Sequence, residues 1–365
     1  MSRSAEALTG HLAEYQELLE LLAERPGLLV IAADPWSGAS DLLSTATESL
    51  DGTYVSCDAR PCADALDLAM AVADAAVATL AADATAWWMG SAPPASTAGL
   101  RLSRTLSSAG IDLHDLQHGT GKGLRRLSDA IELAVALDPD AALVIDHLGL
   151  MLSAMSPDEA RQVLAELRAA SQRHPRLDLV LVEHSDGVMS NALRDPDHPM
   201  FQAGQSMRIR RSPPSRFVGD LAVTRAWTAV PAGMLGAAAE LAAGVPALTW
   251  RVVELANEEA EEETEALSGW RRLQRVTRAS TERQWDMLRR IHSQAQPVVA
   301  AMGVGLRPHS VAANSKSIYD ALNRLRGLGV AWQPEERHWS LSDPLLSSWV
   351  RENAPSWGLR RSQGG

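Results

Sequence analysis

Residues 28–43 read LLVIAADPWSGASDLL. The unbroken apolar run Leu28 to Ala32 is the pattern of a strand buried on both faces, as in a parallel sheet. A turn containing Ser37 and Gly38 follows, and Asp41 to Leu50 then reads as a helix. Strand, glycine-containing turn and helix N-terminus form the frame of a phosphate loop, in which backbone N–H groups hold the phosphates and a lysine neutralises them. In that frame Ala33 takes the first glycine position, Gly38 the second, Ala39 the lysine position and Ser40 that of the magnesium-binding hydroxyl. The expected cradle is Ser37, Gly38, Ser40 and Asp41, weakened or lost. A charge-assisted hydrogen bond contributes roughly 1.5–3 kcal/mol, so losing the lysine weakens triphosphate binding roughly ten- to a hundredfold. The alternative is a strand-turn-helix connection that never meets phosphate.

Working outward, Ala141 to His147 reads AALVIDH. An apolar strand ending on Asp146 puts a carboxylate at the carboxyl edge of the sheet, where it can hold magnesium through water. His147 follows, where a hydrolase of this kind carries a water-polarising Glu. A neutral imidazole can serve as a base; the competing expectation is a hydrogen-bonded structural histidine. A second glycine-rich stretch, Gly119 to Gly123, includes Lys122 but lacks a preceding strand, and Gly123 replaces the required Ser or Thr. It reads as a loop.

Further strands are expected at Thr53 to Cys57, Leu177 to Val182 and Met207 to Ile209, and helices at residues 5–24, 63–88, 124–137 and 157–171, the last capped by Ser156. Residues 91–122 show no clear period and read as a long loop with one helical turn at most. Strands alternating with helices imply a parallel sheet covered on both faces. After Pro213 and Pro214 the strand signals stop, and residues 215–275 read as helices broken by a turn at Gly244 and Pro246.

The chain has 365 residues, enough for two or three cores. Its formal charge of -11 argues against a broad nucleic-acid sleeve and leaves room for a local basic patch. No signal peptide or membrane span is expected, and the protein reads as cytoplasmic. Abundant Arg and Ala beside only two lysines, Lys122 and Lys316, suggest a GC-rich bacterial genome. Cys57 and Cys62 make no disulfide or metal framework, so no metal site is expected. The acidic run Glu258 to Glu265 reads as a solvated face.

Taken in order, these segments resemble the archaeal-type AAA+/STAND P-loop ATPases, relatives of the origin-recognition ATPases. The resemblance covers roughly residues 20–350. Beside the phosphate-loop frame and the Val144-Ile145-Asp146-His147 strand end, it rests on three segments. Leu179 to Ser185 is similar to the family's sensor strand, Leu193 to Phe201 to the loop after it, and Ala243-Gly244-Val245-Pro246 to the GGxP turn of the helical lid. The departures are Ala39 for the lysine, His147 for the Glu, and Gln202-Ala203 where the family loop often continues Gly-Arg. The resemblance therefore implies a catalytically degenerate ATPase, with Ala39, His147 and Ala203 at the lost positions.

Residues 281–350 resemble the winged helix that ends many of these ATPases. Trp285 to His292 is its expected first helix, Ser310 to Ala313 a second helix or turn, and Ser315 to Leu328 the third. Val330 to Gln333 and His338 to Leu341 flank the wing. A third helix with clustered cations and polar groups suits major-groove docking, which makes Lys316, Tyr319, Asn323, Arg324 and, in the wing, Arg337 the expected DNA contacts. Glu335 and Glu336 favour protein contacts instead.

The expected fold class is α/β, a P-loop NTPase-like parallel sheet with a helical lid, followed by a winged-helix domain. The boundaries are an N-terminal helix over 1–25, the degenerate NTPase-like domain over 26–212, the lid over 213–280 and the winged helix over 281–365. The expected function is a regulatory or scaffold pseudo-ATPase that binds duplex DNA or a protein partner, with no cofactor or weakly bound ATP or ADP with Mg. One rival is an active ATPase switch using Asp146 and Ser40, with its lysine supplied by Lys122 or a neighbouring subunit. Another is an assembly component docking through Trp87 and Trp88, with self-association open.

Overall fold

The computed structural model describes residues 10–50, 52–80, 97–112, 123–184, 188–224, 230–258, 265–310, 314–335 and 338–353. In chain order the elements begin with α1 (Leu12–Ala23), β1 (Leu28–Ala33), α2 (Ala39–Glu48), β2 (Tyr54–Asp58), α3 (Ala65–Ala78), α4 (Thr97–Ser108) and α5 (Gly123–Leu137). Next come β3 (Ala142–Asp146), α6 (Leu148–Ala154), α7 (Pro157–Arg173), β4 (Asp178–Glu183), α8 (Val188–Arg194) and β5 (Gln205–Ile209). The rest is α9 (Pro214–Thr224), α10 (Ala232–Leu241), α11 (Pro246–Asn257), α12 (Ala266–Ile291), α13 (Ala295–Gly303), a 3₁₀ turn at Pro308–Ser310, α14 (Ser315–Gly327), β6 (Ala331–Glu335), β7 (His338–Leu341) and α15 (Pro344–Asn353).

Two compact units result. One contains residues 17–33 and the described residues of 46–208. The other contains residues 34–45 together with the described residues before 17 and after 208.

The first unit carries the sheet, in the order β2-β3-β4-β1-β5. Parallel pairing sets Leu28 beside Leu179, Leu143 beside Leu179, and Asp58 beside Asp146. The strands are short apolar runs because both faces are covered; β4 is buried along its whole length. Helices α3 and α5 pack together, and the buried Ala73 and Ala76 on one and Ala130 and Ala134 on the other are small enough to let the backbones approach. Ser156 caps α7 in a capping box with Glu159, as its sequence indicates. Gly204 has φ +69, and a Cβ there would collide with the Leu28 carbonyl. Only glycine fits this entry into β5.

At the amino ends of the strands the Arg25 guanidinium donates to Asp178 Oδ2 at 2.8 Å and Asp140 Oδ1 at 3.0 Å. It also donates to the carbonyls of Asp140 and Arg176, both at 2.7 Å. Asp178 Oδ1 accepts from Gly27 N at 3.0 Å. One side chain thus ties together the starts of β1, β3 and β4.

The second unit holds two helical cores. Phe217, Leu235, Trp250, Trp270 and Leu273 join α9 to α12. The turn before α11 needs Gly244 (φ +72), because a Cβ would strike the Ser212 carbonyl. Leu288, Val298, Val299, Ile318, Leu322, Leu325, Leu346 and Val350 form the other core, around which β6 and β7 make an antiparallel ribbon.

Three expectations change. Thr97–Ser108 is a helix although 91–122 reads as loop. Its Ser, Thr and Gly lower the helical signal, while Leu102 and Leu106, four apart, are buried against the sheet unit's core. Trp285 to His292 is not a separate helix but the end of the 26-residue α12. The helix that the sequence conceals is α13, where Pro297 sits in the first turn, a position at which proline is tolerated. Trp87, Trp88, Lys122, the middle of the acidic run and Arg337 lie outside the described residues. Among the described residues no helix is long and apolar enough to cross a membrane.

Candidate functional site

The sheet unit gathers its unusual chemistry at the carboxyl ends of β2, β3 and β4. Parallel register places Asp58 beside Asp146, and neighbouring strands lie only about 4.8 Å apart. His147 follows Asp146 with φ 58, a left-handed turn that is uncommon outside glycine and in which His is among the better tolerated. His184 follows the end of β4. The two imidazoles stack with centroids 4.1 Å apart and planes 20° from parallel. His184 Nε2 is 2.7 Å from Asp146 Oδ1. His147 Nδ1 lies 3.4 Å from Asp146 Oδ2 and 3.3 Å from Asp58 Oδ1. It is sealed from solvent and makes no hydrogen bond among the described residues.

Burial alone raises the pKa of Asp146, but the adjacent His147 and His184 outweigh it and hold the carboxyl far below the usual range. For Asp58 too, burial opposes and Arg60 prevails: its Nε donates at 2.7 Å and its backbone N–H at 2.9 Å, lowering the pKa. Ala203 sits elsewhere. It is buried in the core, immediately before Gly204, which abuts the Leu28 end of β1. The amino edge therefore holds Ala203, and the carboxyl edge holds Asp146.

The loop read as a phosphate cradle belongs to the other unit. Ser37 is fully buried, and its N–H bonds the Asp34 carbonyl at 3.1 Å. Gly38 has φ +84, and a Cβ there would come within 3.3 Å of Pro246 Cγ at the start of α11. Ala39, read from the sequence as the lysine position, opens α2 and is 1% exposed. Ser40 is half-buried and Asp41 exposed. Trp36 stands out, exposed and with φ 64.

Arg211 braces this loop. Its backbone N–H donates to Asp34 Oδ2 at 3.1 Å and its Nε to the Pro35 carbonyl at 2.7 Å. It also donates to the Ser342 carbonyl and lies 4.9 Å over the Trp332 ring. Burial pushes its pKa down to about 10, against the pull of Asp34 and Asp343. His11, wholly buried near Ser37, has its pKa lowered by burial against the nearby Glu14.

In the C-terminal part of the same unit, Asn314 caps α14 by accepting from the N–H groups of Lys316 and Ser317. Lys316, Tyr319 and Asn323 are exposed along one face, at the i, i+3, i+7 spacing of a helical stripe. Arg324 is exposed but donates to the Ile291 carbonyl at 2.9 Å, satisfying the end of α12.

Sequence reasoning missed Asp58, Arg211 and His11 and did not join His184 to His147. A signal for the pair was present: both Val144-Ile145-Asp146-His147 and Leu181-Val182-Glu183-His184 end an apolar strand on an acid followed by histidine.

No family model and no curated protein matches the sequence. Solved structures do. A Walker-type ATPase of Pyrococcus abyssi aligns with TM-score 0.60 at 15% identity, covering 93% of this chain and 95% of that one. The fold is a P-loop NTPase-like α/β fold. The Aeropyrum pernix ORC1 protein, solved in complex with DNA, aligns with TM-score 0.51 at 14% identity over 95% of this chain and 92% of its own. The Aeropyrum pernix ORC2 protein, solved in ADPNP-ADP complexes, gives TM-score 0.51 at 14% identity over 98% and 93%.

Proposed function

We propose that this chain is a AAA+-type pseudo-ATPase, a regulatory scaffold that has lost nucleotide hydrolysis and engages duplex DNA through a C-terminal winged helix. The observation that carries the first part is Ala39, a buried methyl at the position where the fold's phosphate loop needs a cation. Gly38 beside it packs against Pro246. Asp146, the carboxylate suited to magnesium, instead accepts from the His147 N–H at 2.8 Å and contacts His184. No water-polarising carboxylate follows it. These residues fit neither a triphosphate with its counter-charge nor a hydrolytic magnesium centre, so no catalytic step is assigned.

The DNA reading is supported by the stripe Lys316, Tyr319 and Asn323 on α14, with the β6–β7 ribbon as wing and residues 281–365 as the domain. The ORC1 structure with DNA shares the fold. Two measurements test the proposal. Magnesium-dependent ATP turnover is expected to be undetectable, before and after Ala39→Lys; turnover near ~1 s⁻¹ that Asp146→Ala abolishes would return the chain to the active ATPases. Fluorescence anisotropy with duplex DNA at low salt is expected to show binding that Lys316→Ala with Tyr319→Ala weakens at least about tenfold, a difference of about 1.4 kcal/mol. No affinity in the wild type, or equal affinity in the variant, overturns the DNA reading in favour of a protein partner.

A further inference from the structure

We propose that Asp146, His147 and His184, with Asp58 at the rim, form a binding site for one borderline divalent transition-metal ion, of which Zn²⁺ is the type. The ligand atoms of Asp146, His147 and His184 all lie within 4.8 Å of one another. At metal–ligand distances of about 2.0–2.2 Å, two ligands of a tetrahedral ion stand about 3.4 Å apart. His147 Nδ1 keeps that spacing to two separate carboxylates, 3.4 Å to Asp146 and 3.3 Å to Asp58. These separations are long for hydrogen bonds and suit ligands sharing an ion. In the shorter His184–Asp146 contact an imidazole N–H meets a carboxylate; His184 would ligate an ion through Nε2 as the neutral tautomer that carries its proton on Nδ1.

Two further features point to a ligand. The sealed, unbonded Nδ1 of His147 is an unsatisfied polar atom of the kind folded proteins rarely leave. The His147 backbone N–H holds Asp146 at 2.8 Å and Arg60 holds Asp58 at 2.7 Å; such partners orient metal ligands.

Donor type selects the ion. Two imidazoles with carboxylates suit Zn²⁺, Co²⁺ or Ni²⁺, whereas Mg²⁺ prefers oxygen donors and water in octahedral geometry. The ion would join the carboxyl ends of β2, β3 and β4 with no phosphate involved. Cys57 and Cys62 are softer ligands nearby in sequence, but both are buried and burial pushes their pKa values up, to about 12 and about 11.

The test is calorimetric titration of the full chain, stripped with chelator, using ZnCl₂, with CoCl₂ as a spectroscopic probe. One equivalent is expected to bind, with visible cobalt bands of a tetrahedral nitrogen–oxygen set and no thiolate charge-transfer band. Excess MgCl₂ is expected not to compete. Replacing either histidine by Ala should weaken Zn²⁺ at least about a hundredfold, since outer partners alone contribute ten- to a hundredfold; Asp58→Asn should cost less. No Zn²⁺ binding by the wild type, thiolate bands, or undiminished affinity in both histidine variants overturns the proposal. If those variants do not fold, the cobalt spectrum of the wild type decides, and its absence counts against the site.

Discussion

The two edges of the parallel sheet carry charged clusters of opposite character. At the amino ends, Arg25 is matched by Asp140, Asp178 and two carbonyls. Its charge is matched by two carboxylates, and four of its five N–H donors are engaged from within the fold. At the carboxyl ends, Asp58 and Asp146 face His147 and His184, and His147 Nδ1, between the carboxylates, makes no hydrogen bond among the described residues. Both clusters follow from one rule of parallel sheets: strands that run the same way bring their amino ends together at one end of the sheet and their carboxyl ends together at the other. What separates a rivet from a site is whether donors and acceptors balance.

The largest effect is expected at the amino edge. Asp178→Ala removes the acceptor of Gly27 N and of Arg25 Nε at a position 6% exposed in the folded protein, while Arg25 keeps Asp140 and two carbonyls. Leaving such groups without partners costs roughly 1–3 kcal/mol each, so denaturant titration is expected to show a loss of about 3 kcal/mol. A loss below ~1 kcal/mol would mean that this edge is no rivet.

Zinc comes next. At a hundred times its dissociation constant a ligand adds about 2.7 kcal/mol, so the wild-type melting temperature should rise with ZnCl₂. His147→Ala with His184→Ala should melt at one temperature with and without the metal. A matching rise in that variant would place the effect elsewhere.

His11 sharpens the contrast, as a histidine buried without a carboxylate at hydrogen-bonding distance; Glu14 is 3.9 Å away and Arg216 and Asp220 also face it. Its folded pKa is lowered, so below the unfolded value of about 6.5 the unfolded chain takes up a proton that the native state refuses. Stability should fall as pH drops from 6.5 towards the folded pKa, and His11→Leu should flatten that slope. The smallest effect is expected for Arg60→Ala. Arg60 is exposed, and surface pairs contribute roughly 0–1 kcal/mol; unchanged urea stability with weaker Zn²⁺ binding would mark Arg60 as an orienting partner.

The strands were legible almost to the residue. Leu28 to Ala32 is observed as Leu28–Ala33, and Ala141 to Ile145 as Ala142–Asp146. Burial on both faces leaves an unbroken apolar run, and its shortness and flanking turn residues set it apart from a buried helix. Helix α4 escaped because its apolar stripe is thin, and α13 because an early proline disguised its start. The carboxyl-edge cluster was half legible. Asp146 and His147 are neighbours in the chain, whereas His184 lies 37 positions beyond His147 and Asp58 on another strand.

From the sequence by itself came the α/β class and the strand ends, both properties of local pattern. Only the tertiary structure decided that β4 stands between β1 and β3, that His184 stacks on His147, that Ala203 is at the amino edge, and that Arg211 braces Asp34 and Pro35. The reason is that strand order and register are set by how faces are buried across long stretches of chain. No local spacing encodes which two strand ends will meet.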